Sequence, residues 1–273
     1  MKIIDKFIMG KISESLCEDA IYVTENYIAL ADGATSLIKD KYDGKYLGKV
    51  ICDIIGRVLE NSRGNEDLDT ILRNINLVIN NFYLDHEIAE LNTIKLEYKA
   101  SASMAIYLKS ESKVYVLGDI SVLINGKLYE FKNSMESTIE TERAKYIESL
   151  VKAGVKEETL LENDISREYI KPLIIGNLKN RNPSTKTEGK LYVIDGTPLN
   201  VYDLESFDVK DGDEIIFASD GYVGKLENLD LAEKKLKEIT DKDPLMYKDV
   251  KKTKGKLYGF NSFDDRSYIK FKI

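Results

Sequence analysis

SASMAIYLKSESKVYVLGDISVLINGKLYEF, residues 101–131, is where the hydrophobic period of the chain changes from helical to two. Four segments in it, SASMAIYLK, KVYVLGD, ISVLIN and KLYEF, read as short consecutive strands, because β-branched and aromatic residues alternate with polar ones. Asn125-Gly126 separates the last two and predicts a tight two-residue hairpin turn. Toward the N-terminus, residues 20–33, AIYVTENYIALADG, predict two more strands around a turn at Thr24–Asn26.

Helical period dominates between these strand regions. In DLDTILRNINLVINNF, Leu68, Ile71, Leu72, Ile75, Ile79 and Phe82 recur every three or four residues and define one buried stripe. This helical character runs to about residue 93, and an earlier helix is expected over Gly44 to Leu59, so that two helices pack as a pair. Residues 138–155 return to helical spacing through Ala144, Ile147, Leu150 and Val151, with Gly154 as the stop. The polar stretch 177–190 reads as a loop. The C-terminal third predicts strands at KLYVID, DEIIFAS and SYIKFKI, with a helix around LAEKKLKEIT. No linker or repeat divides the chain. The expectation is one α+β domain over residues 1–273, with β-sheets packed together and helices on their outer faces.

Composition narrows the chemistry. The formal net charge of −7 argues against non-specific binding to nucleic acid or anionic lipid, and the basic run Lys251, Lys252, Lys254, Lys256 reads as a solvated loop. No apolar run is long enough to span a membrane, and Asp5 and Lys6 interrupt the N-terminal apolar residues, so a cytoplasmic protein is expected. The two cysteines, Cys17 and Cys52, have neither metal nor redox spacing. The lone histidine, His86, lies in a helix-like polar stretch and reads as a surface residue, with no serine–histidine–aspartate triad or multi-histidine metal site assembled around it. Carboxylates are left to carry any catalysis.

Asp-Gly is ordinarily a turn signal, and the chain has five such pairs. Asp32-Gly33 and Asp220-Gly221 stand out because a hydrophobic strand runs directly into each; Asp195-Gly196 has the same look. A strand end holds a carboxylate rigidly, and glycine lets backbone approach closely. Glu18-Asp19 precede a strand, Gly118-Asp119 end one, and Asp264-Asp265 precede the last. Acidic residues at several sheet ends suit Mg2+ or Mn2+, which favour oxygen ligands.

The ordered set CEDA, ALADGAT, SASMAIYL, VYVLGDISVLI, DEIIFASDG and FDDRSYIKF resembles the metal-dependent type 2C (PPM) serine/threonine protein phosphatase family, from Glu18 to Ile269. The resemblance implies an αββα sandwich of two central antiparallel sheets flanked by helices, with a variable flap-like region at about 132–190. It implies hydrolysis of phosphoserine and phosphothreonine in proteins, opposing a serine/threonine kinase, by water that two Mn2+ or Mg2+ ions activate. Asp32 would bridge both ions with help from the Gly33 carbonyl, and Asp220 and Asp264 would hold the first. Glu18 and Asp19 would hold waters of the second, Asp119 would help to bind a third, weaker ion, and Asp265 would stand behind the ligands.

The chain also departs from that family. Glu14 stands where a phosphate-gripping arginine is common, with Lys11 nearby as a substitute. Ala34, Thr35 and Ser36 replace the histidine and glycines that follow the first Asp-Gly in eukaryotic members, and Gly224 replaces an acidic residue beyond Asp220. The third ion is therefore in question, and a phosphoprotein-binding or regulatory module with weakened catalysis is the alternative expectation.

Overall fold

The computed structural model describes residues 1–88, 95–131 and 133–273. Two five-stranded antiparallel sheets stack on each other. The first contains β1 (Lys2–Met9), β6 (Ser121–Ile124), β7 (Lys127–Tyr129), β9 (Glu214–Ala218) and β10 (Arg266–Lys272), in the order β1-β10-β9-β6-β7. The second contains β2 (Asp19–Val23), β3 (Tyr27–Gly33), β4 (Ala102–Leu108), β5 (Lys113–Leu117) and β8 (Glu205–Asp208), in the order β2-β3-β4-β5-β8.

Alternation along the strands builds the layers. Ile28 and Leu30 of β3 point between the sheets with Ala105 and Tyr107, where they meet Ile215, Phe217, Ile269 and Phe271 of the opposite sheet. Tyr27, Ala29 and Ala31 point the other way, under α1 (Leu47–Asn61) and α2 (Leu68–Asp85). On the far side, α6 (Leu229–Lys242) packs Ala232 and Leu236 against Ile216, Ala218 and Tyr268. The layers are helix, sheet, sheet, helix, and each large apolar side chain buried between them contributes roughly 1.5–3 kcal/mol.

A group of helices leaves this stack between β7 and β8. It comprises α3 (Glu136–Lys152), α4 (Glu157–Glu162) and α5 (Ile165–Leu178); Ala144 and Ile147 of α3 and Leu160 and Leu161 of α4 form a small apolar cluster with Leu245 and Tyr247. Arg143 of α3 is fully buried; it pairs with Asp164 and donates to the Leu245, Met246 and Lys252 carbonyls. This holds the 245–252 segment against α3 and the start of α5.

Several local expectations change. The first helix starts at Leu47, because Gly44 takes φ +78° in a turn closed by Tyr42 and Lys45. The second ends at Asp85; the part of the expected helical stretch at 89–93 lies outside the described residues, as does Lys132 at the edge of the flap-like region. KLYVID forms no strand and contributes only a single bridge between Ile194 and Ala102. The expected loop 177–190 begins two residues late, since Asn177 and Leu178 are the last turn of α5. Asn125 and Gly126 both have positive φ, +51° and +79°, as the hairpin turn requires. No helix among the described residues is long and apolar enough to cross a membrane.

Candidate metal centre

The polar end of the sandwich follows from strand register. Asp19 lies directly opposite Asp32 across β2 and β3, and Asp32 lies opposite Ser103 across β3 and β4. Asp32 shares the inter-sheet parity of Ile28 and Leu30, so the alternation that fills the core with aliphatics ends on a carboxylate. In the other sheet, Ser219 and Ser267 follow the parity of Phe217 and Ile269. Ser267 Oγ donates to Asp19 Oδ2 at 2.8 Å, and the Ser267 amide donates to Ser219 Oγ at 2.9 Å. The first bond ties the two sheets together where their aliphatic contact stops, and the second joins the ends of β9 and β10 within one sheet.

Loops from strand ends complete the site. The chain leaves β5 through Gly118, whose φ is +82° and whose missing side chain makes room for Ser103. Ser103 Oγ then donates to Asp119 Oδ1 at 2.6 Å. Asp32, Gly33, Asp119, Asp220 and Asp264 all line one pocket of about 110 Å3. Glu18, Asp19 and Asp265 do not line it and are buried behind it. Asp265 accepts from the Lys11 amide at 2.6 Å, the Lys11 ammonium at 2.8 Å and the Glu18 amide at 3.1 Å, which fixes the N-terminal segment beside the site.

Lysines enter this acidic cluster, and the solvated-loop reading of the basic run is corrected for two of them. Lys252 Nζ is 3.2 Å from Asp220 Oδ2, and Lys254 Nζ is 2.5 Å from Asp264 Oδ2 and 2.8 Å from Thr35 Oγ1. Both reach acidic partners of the site from one loop, which a count of charge alone does not reveal. Lys11 Nζ reaches Glu18 Oε2 at 3.1 Å and Asp264 Oδ1 at 3.6 Å.

Even so, negative charge is in excess. Burial, then the charges of Asp19, Asp220, Asp119 and Asp264, hold the Asp32 carboxyl well above its usual value. Burial and then Asp265 raise Asp19. Burial, followed by Asp119 and Asp220, pushes Glu136 up to about 8. Asp264 is the exception: burial would raise it, but Lys254 and Lys11 outweigh burial and lower it.

Glu136 and Arg181 escaped the sequence reading. Carboxylate oxygens of Asp119, Glu136 and Asp220 lie within 4.8 Å of one another, although Glu136 belongs to the first turn of α3 in the flap-like region. Arg181 follows α5 and lines the same pocket. Neither residue has a periodic signal, because each reaches the site from a loop or helix end. Asp195 is the converse case. It pairs with Lys99 at 2.8 Å and accepts from the Thr197 amide at 2.9 Å, as a turn residue does.

The donor set suits a hard divalent cation. All the candidate side-chain ligands are carboxylates, and Glu18 Oε1 and Asp19 Oδ1 are buried oxygens with no hydrogen-bond partner among the described residues. Buried carboxylate oxygens left this way are costly unless a cation meets them.

No sequence-family model matches this chain, and no curated protein sequence matches it. Solved structures do. The Mycobacterium tuberculosis serine/threonine phosphatase PstP/Ppp superposes with a TM-score of 0.52 at 14% identity, over 100% of this chain and 99% of that one. The catalytic domain of the serine/threonine protein phosphatase PstP in complex with two manganese ions gives 0.50 at 15% identity, over 97% and 96%. The αββα sandwich of this chain is the fold of these phosphatases.

Proposed function

We propose that this chain is a metal-dependent phosphatase acting on phosphoserine and phosphothreonine in proteins. The observation that carries this reading is the convergence of Asp32, Asp119, Asp220 and Asp264, from distant parts of the sequence, on one pocket at the end of a phosphatase-type sandwich. A cytoplasmic site of action, opposing a serine/threonine kinase, fits a chain with no membrane-crossing helix among the described residues.

In this reading Asp32, Asp220 and Asp264, with the Gly33 carbonyl, would hold two Mn2+ or Mg2+ ions, with Glu18 and Asp19 behind them. Asp119 with Glu136 offers a place for a further ion, Glu136 taking the part that Gly224 cannot. Bound cations supply Lewis acidity, activating water and offsetting charge on the phosphoryl oxygens. The chain's own groups do the positioning. Ser267 and Ser103 orient Asp19 and Asp119 by hydrogen bonds, so that both carboxylates are fixed before any ligand arrives. Lys11 balances Glu18 and Asp265 and keeps the N-terminal segment in place. His86 sits at the end of α2 against Phe82 and Tyr42, away from the pocket-lining residues, so an imidazole does not protonate the leaving oxygen.

With millimolar Mn2+, the purified chain should hydrolyse p-nitrophenyl phosphate and a phosphothreonine peptide. Asp32→Ala and Asp220→Ala should each lower turnover by about a thousandfold or more, the scale of several kcal/mol of metal-derived stabilisation. One observation favours a second reading, a phosphoprotein-binding module: Lys252 and Lys254 already pair with Asp220 and Asp264. Stoichiometric Mn2+ uptake in calorimetry without turnover of either ester selects that reading instead.

A further inference from the structure

A phosphate group entering the pocket needs hydrogen-bond donors that are not already spent, and the cations around the site differ in this respect. The Lys11 ammonium has three donors. All three are engaged, by Glu18 Oε2 at 3.1 Å, Thr35 Oγ1 at 3.1 Å and Asp265 Oδ2 at 2.8 Å. Lys11 therefore has nothing left for phosphate, although its place in the sequence suggested it. Glu14 is exposed and acidic. Lys252 spends two of its three donors on the Asp220 carboxylate and carbonyl, and Lys254 two on Thr35 and Asp264, which leaves each a single N–H and no fork.

Arg181 is different. Its guanidinium has five donors, and among the described residues only one is used, Nη1 to Ser101 Oγ at 2.6 Å. It forms no ion pair there, although it lines the same pocket as Asp32, Asp119, Glu136 and Asp220. Its backbone is anchored as well. The side chain of the next residue, Asn182, donates to the Val193 carbonyl at 3.0 Å and accepts from the Val193 amide at 2.8 Å. Ile194 then exchanges two backbone hydrogen bonds of 2.9 Å with Ala102, the first residue of β4. Ser101 and Ser103 flank that residue. Arg181 is thus fastened to the start of β4 beside the site, and four of its N–H groups have no protein acceptor among the described residues.

We propose that Arg181 is the guanidinium that grips the substrate's phosphate, delivered by the turn after α5 rather than by the N-terminal segment. A planar guanidinium suits this because two parallel N–H groups meet two phosphate oxygens. The inference deepens the phosphatase reading, but its test does not depend on turnover.

Inorganic phosphate is the probe, titrated calorimetrically into the full chain in Mn2+ buffer, and measured as a competitive inhibitor wherever p-nitrophenyl phosphate is hydrolysed. Arg181→Ala should weaken phosphate binding by about ten- to a hundredfold, the scale of a lost charge-assisted hydrogen bond, and raise KM more than it lowers kcat. Arg181→Lys, which keeps the charge and loses the fork, should fall between. Mn2+ affinity and Tm should stay near those of the unsubstituted chain. Phosphate affinity within twofold of the parent in Arg181→Ala overturns the proposal. So does an equal loss of Mn2+ and phosphate affinity, which would make Arg181 structural, and so does failure of the unsubstituted chain to bind phosphate. A chain that binds phosphate through Arg181 but hydrolyses no ester would remove the phosphatase reading and leave this one standing.

Discussion

Gly221 follows Asp220 because two chain segments meet there with no room for a side chain. A Cβ at position 221 would lie 2.0 Å from the Asp265 carbonyl oxygen and 2.9 Å from Arg266 Cβ. The contact holds the end of β9 against the start of β10, and with it Asp220 beside Asp264. Gly33 behaves alike, with the Gly48 and Glu18 carbonyls 2.4 and 2.6 Å from where its Cβ would be. Gly221→Ala should therefore destabilise the fold by about 1–3 kcal/mol in urea titration, as overpacking of a rigid site does, and weaken Mn2+ binding together with stability. A variant within 0.5 kcal/mol of the parent, roughly the neutral range for surface changes, would mean the two segments are not in contact.

At the scale of elements, the three helices inserted between β7 and β8 bring Glu136 and Arg181 to the carboxylates, and the 245–254 segment brings Lys252 and Lys254. Arg143 joins the two groups. It has no exposed surface, pairs with Asp164 at 2.6 Å, and is bonded to three carbonyls of the segment. Asp164 caps α5 through the Ser166 amide at 3.1 Å, and Arg167 of the same helix donates to the Thr253 carbonyl at 3.1 Å. Removing one partner of a buried ion pair leaves the other uncompensated, at about 3–5 kcal/mol. Arg143→Met should cost about that much. It should also raise amide hydrogen exchange across 245–254 well before exchange rises in β9 or β10, which hydrogen–deuterium exchange with mass spectrometry will read. Uniform acceleration over the chain would mean that Arg143 serves global stability and not this joint.

Over the whole molecule, the carboxylates oppose folding when they ionise without a counter-charge. Burial raises Asp19, Asp32, Asp119 and Glu136, the last to about 8. A group whose folded pKa lies above its unfolded value, about 4 for a carboxylate, favours folding while protonated, and that contribution is lost as pH rises through the folded pKa. Metal-free protein should therefore have a higher Tm at pH 5.5 than at pH 8. Asp264, which is lowered, titrates below this window and does not reverse the trend. Divalent cations remove the repulsion, so millimolar Mn2+ should raise Tm more at pH 8 than at pH 5.5. Equal shifts at both pH values in calorimetric scans would show that ion binding is not coupled to this cluster.

Period and turn chemistry were enough to read the strands β2 to β7, β9 and β10, the helices α1, α2, α3 and α6, and the carboxylates at strand ends, because those residues obey local rules of alternation, spacing and positive φ. Local rules also failed at identifiable places. The eight-residue β1, the short β8 and the helices α4 and α5 were not read, and KLYVID looked like a strand without finding a ladder partner. The basic run looked solvated, and Asp195 could not be told from Asp32 or Asp220. What separates those aspartates is the pocket: Asp32 and Asp220 line it, whereas Asp195 does not and spends its carboxylate on Lys99 and the Thr197 amide. Glu136, Arg181, Lys252 and Lys254 join the site through contacts between segments far apart in the chain, and only three-dimensional packing brings such charges within reach of one another.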